Sequence, residues 1–315
     1  MKNKKTALLL AVCLSLGTLA GCSTEEINNY RQAEQDLADG NFQTALEEYE
    51  TAVSDGIKVA ESYRGAGVAN VRLGNYEAAI EDFTQALNCE KVGKALKKDI
   101  LSYRAAAYLK TKSYEEALTD CQALAEGYDM DADLYFLSGE VALAMDSYEE
   151  AASYFEQAYG EDATYDMAIR IYAVYLEQDM EADGTRYLEA ALSGEAKNAQ
   201  DHCDRGRVYY YMDDYDNASE ELKQAIDGGN TEAMALLGMV YMEQKDTANA
   251  RSMFQQYVSQ AENGAKGYNG LALCDIADGD YDSALSNISS GISAADAEDM
   301  QSLLFNEIVA YEKKL

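Results

Sequence analysis

The stretch from Gly74 to Leu87, GNYEAAIEDFTQAL, recurs in stronger or weaker form about every 34 residues, and a repeat of that length restricts the fold more than any other feature of the chain. Within it Tyr76, Ala79, Ile80, Phe83, Ala86 and Leu87 fall at offsets of 0, 3, 4, 7, 10 and 11, one face of an α-helix. Gly74 is placed to end the preceding helix, because glycine takes the left-handed conformation without a Cβ clash, and Asn75 is placed to cap the next one. The unit is a helical hairpin in which Ala79 and Ala86 permit close approach and Phe83 fills the space between the helices.

Copies are found by following the residue equivalent to Ala79. It returns as Ala45, Ala117, Ala151, Ala218, Ala250 and Ala284, at intervals of 34, 38, 34, 67, 32 and 34, where 67 spans two repeats. The aromatic residue three positions earlier returns as Phe42, Tyr114, Tyr148, Tyr215 and Tyr281, with Met180 and Thr247 in its place in two degenerate copies. Ser113 with Glu116, and Ser147 with Glu150, have capping-box spacing at the same helix start. The preceding helix carries its own small residue each time, as Ala33, Gly67, Ala105, Gly139, Gly206, Gly238 and Ala272. In the fifth copy Asp183 stands in line with the alanine.

On these residues, with Gly67, Gly74, Tyr76, Ala79, Phe83 and Ala86 as the best copy, the chain resembles the tetratricopeptide-repeat family. The resemblance implies an all-α, right-handed α-solenoid of about eight helical hairpins over residues 30–298, closed by a C-terminal capping helix at 299–315. Leu303, Leu304, Ile308 and Tyr311 are spaced to cover the last hairpin, leaving Glu307, Lys313 and Lys314 outside. The family's proline is missing throughout, and Gly56, Gly127, Gly160, Gly228 and Gly264 stand near the corresponding helix ends.

The first residues give an address. Lys2, Lys4 and Lys5 precede an uncharged run from Ala7 to Ala20 that is too short for a dedicated membrane span, the pattern of a secretory signal peptide over residues 1–21. Leu19-Ala20-Gly21-Cys22 resembles a bacterial lipobox, which implies acylation at Cys22 and a short tether over residues 22–29. The body is expected outside the cytoplasmic membrane, held to the outer or the cytoplasmic membrane according to the host. Loss of three lysines and no acid would take the net charge from −32 to −35, a balance that repels nucleic acid.

The inventory for catalysis is thin. His202 is the single histidine, with no nucleophile motif beside it, and His202-Cys203 has no second pair at ligand spacing, so no catalytic residue, metal or cofactor is expected. Asp129, Asp131, Asp133 and Glu140 match calcium-loop positions, yet Leu134 replaces the required glycine, and both this turn and Asp278, Asp280 and Asp282 read as solvated helix starts. Cys121 and Cys274 read as small buried hydrophobes; Cys89 and Cys121 are the one pair from adjacent repeats that a bridge would suit.

Family members bind extended peptides or partner helices along their first helices, and the same register here gives Tyr172, Tyr175, Arg207, Tyr210, Tyr211, Met239 and Met242. Tyr30 and Glu34 stand where a carboxylate-clamping member needs lysine and asparagine, which disfavours a co-chaperone role. Residues 64–112 carry nine basic side chains against five acidic ones, a local patch read as a solvated helix face, or as a contact for phospholipid headgroups near the anchor or for an acidic partner. The expected function is a membrane-anchored scaffold for a protein or peptide partner, in envelope assembly or secretion. The alternative is a cell-surface glycan receptor in which Tyr210 and Tyr211 stack on sugar rings, and the absence of tryptophan counts against it.

Overall fold

The computed structural model describes residues 29–295 and 297–314, without the side chains of residues 297, 298 and 301. The leader, the lipobox with Cys22, and the tether up to residue 28 lie outside the described residues. All regular structure among the described residues is helical, in two units. The first ends at Glu161 and holds α1 (29–38), α2 (Phe42–Ser54), α3 (Val59–Arg72), α4 (Tyr76–Asn88), α5 (Lys94–Lys110), α6 (Tyr114–Gly127), α7 (Ala132–Ala144) and α8 (Tyr148–Glu161). The second holds α9 (Tyr165–Leu176), α10 (Glu181–Ala191), α11 (Ala199–Tyr211), α12 (Tyr215–Asp227), α13 (Glu232–Glu243), α14 (Thr247–Gln260), α15 (Ala265–Asp278), α16 (Tyr281–Ala294) and α17 (Ala297–Lys314). Each unit is a run of four hairpins, and α17 closes the second. No helix among the described residues is long and apolar enough to cross a membrane.

One contact recurs from hairpin to hairpin, with the fifth as the exception. The bulky residue of the second helix lies against the small residue of the first, sixteen positions earlier: a Cβ added at Gly67 would come 2.5 Å from the Phe83 ring, at Gly139 2.6 Å from Phe155, at Gly206 2.5 Å from Leu222, and at Gly238 2.5 Å from Phe254. Ala79, Ala117, Ala151, Ala218, Ala250 and Ala284 have no exposed surface, so the small residues set the helix separation and the large ones fill it. Gly74 takes φ +78° after α3, as its place in the repeat requires.

The fifth hairpin departs from the expected register. α10 begins at Glu181, not at Met180, so the buried small position is Gly184 and the bulky one is the fully buried Leu188, each one residue later than the sequence alignment through Asp183 implies. The first-helix residue paired with Leu188 is then Tyr172, where every other hairpin has glycine or alanine. Gly184 makes room for it: an added Cβ there would meet Tyr172 Cα at 3.0 Å, its ring at 3.1 Å and Tyr175 Cβ at 3.1 Å. Both members of this pair are large, and the methyl group missing at Gly184 makes the room.

Helix starts also differ in detail from expectation. Neither Asn75 nor Ser113 makes a side-chain capping bond; Asn75 donates to Asn70 Oδ1 instead, and the Ser113 hydroxyl lies 3.1 Å from that of Thr111. Asp214, Asp246 and Asp280 at the equivalent position do cap, accepting from the amides of Asn217, Asn249 and Ser283, because a charged carboxylate also gains from the helix dipole. Asp131 caps α7 and pairs with Lys98 at 2.8 Å, so the acidic turn is used as a helix start.

α17 presents a different face from the one expected. Leu303, Asn306 and Ala310 are buried against the last hairpin, whereas Leu304, Phe305, Ile308 and Tyr311 are 45, 65, 58 and 54% exposed. The seat on α16 is narrow: Leu303 meets Gly291, where a Cβ would lie 2.6 Å from it, and only one stripe of the helix fits there.

Cys89, Cys121, Cys203 and Cys274 are free thiols, so the Cys89–Cys121 bridge does not form. Burial pushes the thiols of Cys121, Cys203 and Cys274 up to about 11, the behaviour of inert core side chains. The basic stretch is largely engaged: Arg64 pairs with Asp99, Lys98 with Asp131 and Arg104 with Asp120, while Arg72 and Lys94 lie over the rings of Phe42 and Tyr128.

One half-buried acid yields a pH signature. Burial raises the Asp82 carboxyl to about 6; the hydrogen bond from Asn70 opposes this and the charges of Glu50 and Glu81 add to it. A carboxyl whose folded value exceeds its unfolded value of about 4 favours folding below pH 4, and that contribution is lost as pH rises through 6. Asp82→Asn keeps an acceptor for Asn70 and is expected to gain about 1–2 kcal/mol in urea unfolding at pH 7 and nothing at pH 4. A loss at pH 7 would mean that the ionised bond to Asn70 outweighs the burial.

Candidate functional site

In the second unit the first helices of successive hairpins, α9, α11, α13 and α15, are neighbours and form its inner face. α11 is started by Asn198, which accepts from the amides of Gln200 and Asp201, and α9 by Thr164, which accepts from Met167. On α11 one stripe runs Gln200, Asp204, Arg207, Tyr211 at helical spacing, and α13 continues it with Glu232, Leu236, Met239, Glu243.

The N-terminal halves of these stripes, with α15 and α17, line a pocket of about 420 Å³. Its lining includes the apolar Ala235, Leu236, Met239 and Leu273, and the charged Asp204, Arg207, Glu232, Lys266 and Asp299. Arg207 donates to Asp166 and, at 3.3 Å, to Asp204, and its buried Nε has no partner. Burial raises the Asp204 carboxyl, against the hydrogen bond from Gln200 and the charge of Arg207. Glu232 accepts from Lys266 at 3.1 Å and from the Tyr257 hydroxyl at 2.8 Å. Mixed charge around an apolar floor suits a polypeptide with both backbone and side-chain groups to satisfy.

The C-terminal ends of α9, α11 and α13, with the first residues of α10 and α12, line a second pocket of about 340 Å³, formed by Tyr172, Leu176, Glu181, Tyr210, Tyr211, Asp213, Tyr215 and Glu243. Tyr172 and Tyr211 have ring centroids 6.2 Å apart at 61°, Tyr210 and Tyr211 5.9 Å at 78°, and Tyr210 and Tyr215 6.0 Å at 57°. The rings stand at steep angles to one another, as the walls of a box. The Tyr215 hydroxyl donates to Asp213 at 2.6 Å and that of Tyr210 to Glu243 at 3.4 Å. Burial and the Glu243 charge push the Tyr210 phenol up to about 12; the bond to Asp213 does the same for Tyr215.

The seven residues expected on one surface are therefore divided. Arg207 and Met239 line the first pocket; Tyr172, Tyr210 and Tyr211 line the second. Tyr175 is withdrawn from the binding set: it is 2% exposed and stacks on Tyr187 between α9 and α10. Met242 is half-buried, with its sulfur 3.5 Å from that of Cys274, and packs α13 toward α15. The register shift in the fifth hairpin explains the error at Tyr175, since Ala173 and Leu176, not Tyr172 and Tyr175, are the true counterparts of Arg207 and Tyr210; Tyr172, 4% exposed, reaches only the back of the second pocket. Leu273 and Lys266 were equally legible, as the counterparts of Met239 and Glu232 one hairpin further on.

His202 is held rather than free. Its Nδ1 lies 2.6 Å from Glu221 Oε2, and Arg205 donates to the other oxygen at 2.8 Å and to the carbonyls of Leu192 and Gly194, tying α11 to α12 and to the end of α10. Among the described residues no group of three His, Cys, Asp or Glu is placed to hold a metal.

The comparisons agree on the architecture. Comparison with curated proteins returned no match. Similar solved structures include a tetratricopeptide-repeat protein from Parabacteroides merdae ATCC 43184 (16% identity, covering 80% of this chain and 99% of the other, TM-score 0.49). Yeast Tom70 is similar over 92% of this chain and 64% of its own, at 14% identity and TM-score 0.54. YrrB, described as a tetratricopeptide-repeat protein with an unusual peptide-binding site, is 20% identical, over 63% of this chain and 98% of its own, at TM-score 0.35. At these identities the similarity is one of fold. The tetratricopeptide-repeat model itself matches residues 30–95, 104–166 and 203–267, more than half of the chain. The chain belongs to the tetratricopeptide-repeat family.

Proposed function

We propose that the chain is a lipid-anchored, extracytoplasmic scaffold that holds a protein or peptide partner on the inner face of its second unit, in envelope assembly or secretion, and that it catalyses nothing. The observation that carries the binding reading is the first pocket. It repeats one register over three hairpins, as Gln200, Glu232 and Lys266, then Asp204, Leu236 and Gly270, then Arg207, Met239 and Leu273. An extended polypeptide lying across successive hairpins meets equivalent positions in turn, and tetratricopeptide repeats commonly bind proteins or peptides in this way. The unmet Nε donor of Arg207 is a further reason to expect a carbonyl or carboxylate there once the guanidinium turns outward. The address rests on the basic leader, the short apolar run and the lipobox ending at Cys22.

Two variants test the two halves separately. Cys22→Ser is expected to release the protein from the membrane fraction without altering its helicity; membrane retention equal to the native chain would remove the lipid anchor. Met239→Glu with Arg207→Glu, checked for native helicity by circular dichroism, is expected to lose at least tenfold in affinity for a partner captured on the native chain. Equal retention by both would place the interface elsewhere.

A further inference from the structure

We propose that the tyrosine pocket at the C-terminal ends of α9 and α11 is a binding site for an organic cation, the ammonium or guanidinium of a partner's side chain or a free quaternary ammonium. Where the cation belongs to a polypeptide, the inference rests on the scaffold reading above.

The fifth hairpin differs from the rest at this pocket. Every other hairpin keeps glycine or alanine at the position of Tyr172, and a tyrosine is accommodated here only because Gly184 has given up its side chain on the opposite helix. The missing methyl group leaves hairpin packing intact and sets a tyrosine, 4% exposed, at the back of the pocket, which no other hairpin has. Local departures of this kind, compensated nearby, mark places where something besides folding is served.

The remaining walls are Tyr210, Tyr211 and Tyr215. Centroids about 6 Å apart, with planes steeply inclined, allow a single guest to lie within about 6 Å of two ring centroids at once, and the ring faces carry the negative part of the quadrupole. The rim adds charge of one sign. Glu181, Asp213 and Glu243 line the pocket and no lysine or arginine does; Arg207, one turn earlier on α11, is already held by Asp166 and Asp204. The Tyr210 and Tyr215 hydroxyls are spent on Glu243 and Asp213, which fixes the rings and leaves the phenols neutral. Leu176 and Tyr211, 45% and 39% exposed, form an apolar lip along which an alkyl stem can lie while its charged end sits inside. Steeply inclined rings offer no flat platform of the kind a sugar stacks on.

The test uses the full chain and small probes, so that it does not depend on finding a partner. Choline is titrated against its neutral isostere 3,3-dimethyl-1-butanol by calorimetry, followed by N-acetyl-trimethyllysine amide and a lysine-containing peptide. The expected result is saturable binding of the cations, at least tenfold weaker binding of the isostere, and at least tenfold weaker cation binding in Tyr211→Leu and in Glu243→Gln. Both substituted residues are exposed, so the variants should fold, and circular dichroism checks that they do. A preference for the peptide places the cation on a polypeptide, and a preference for choline places it on a free small molecule; each supports the site. Equal binding of the isostere, cation affinity unchanged in both variants, no cation binding, or displacement by a neutral oligosaccharide would overturn it. Cation binding together with failure of the Met239 and Arg207 variants to affect any partner would leave this site standing and remove the scaffold interface.

Discussion

Phe254→Ala is expected to destabilise the second unit by about 3–5 kcal/mol, the upper range for removing a buried aromatic ring. Phe254 is 1% exposed and is clamped from two sides by backbone: a Cβ at Gly238 would lie 2.5 Å from the ring and one at Gly270 2.3 Å. Neither glycine has a side chain that can turn into the vacated space, so the cavity closes only if whole helices move. The ring touches α13 of its own hairpin and α15 of the next, so its loss weakens a hairpin and the joint between two hairpins together, the two contributions from which repeat proteins are stabilised. Phe254→Leu retains most of the volume and is expected to cost about 1 kcal/mol. Because the chain has two units, the clean measurement is hydrogen exchange of the α13–α15 amides, compared with those of the first unit. A drop in protection confined to α13–α15 supports the clamp; a loss below about 1 kcal/mol would show that the helices close on the vacancy and that the ring is not a spacer.

The same contact explains how much could be read from sequence. The pairing of a small residue with a large one sixteen positions later is written in Gly67 and Phe83, in Gly139 and Phe155, and in Gly238 and Phe254, so the hairpins and their number followed from composition at fixed intervals. It failed where the first-helix partner is itself large. Tyr172 stands opposite Leu188, glycine replaces the usual alanine at 184, alanine-counting slipped to Asp183, and a one-residue slip put the buried Tyr172 and Tyr175 in place of Ala173 and Leu176. One step in an α-helix is about 100°, enough to move a residue from groove to core. The slip also concealed Leu176, which stands at the pocket's lip. α17 shows the opposite limit: Leu304, Ile308 and Tyr311 have helical spacing, yet periodicity cannot say which of two adjacent apolar stripes will be covered, and Gly291 decides for Leu303. Side-chain capping was legible only as position, since Asp214 and Asp280 cap where Asn75 and Ser113 do not.

In the first unit the largest effect is expected from Arg104→Met, a loss of about 3–5 kcal/mol by analogy with buried pairs broken on one side. Arg104 grips both oxygens of Asp120, at 2.8 and 2.7 Å, and donates to Thr84 at 3.0 Å, so one guanidinium joins α4, α5 and α6. The Asp120 side chain is only 4% exposed, and without its partner it remains a buried charge with no water to replace the two bonds. The penalty belongs to the stranded carboxylate more than to the lost attraction. Arg104→Met with Asp120→Leu, which removes both charges and restores apolar volume, is therefore expected to return to within about 1 kcal/mol of the native chain. Urea unfolding of the three proteins at pH 7 completes the cycle. A double variant as unstable as the single one would show instead that the pair, with its link to Thr84, positions the three helices in a way that apolar packing cannot replace.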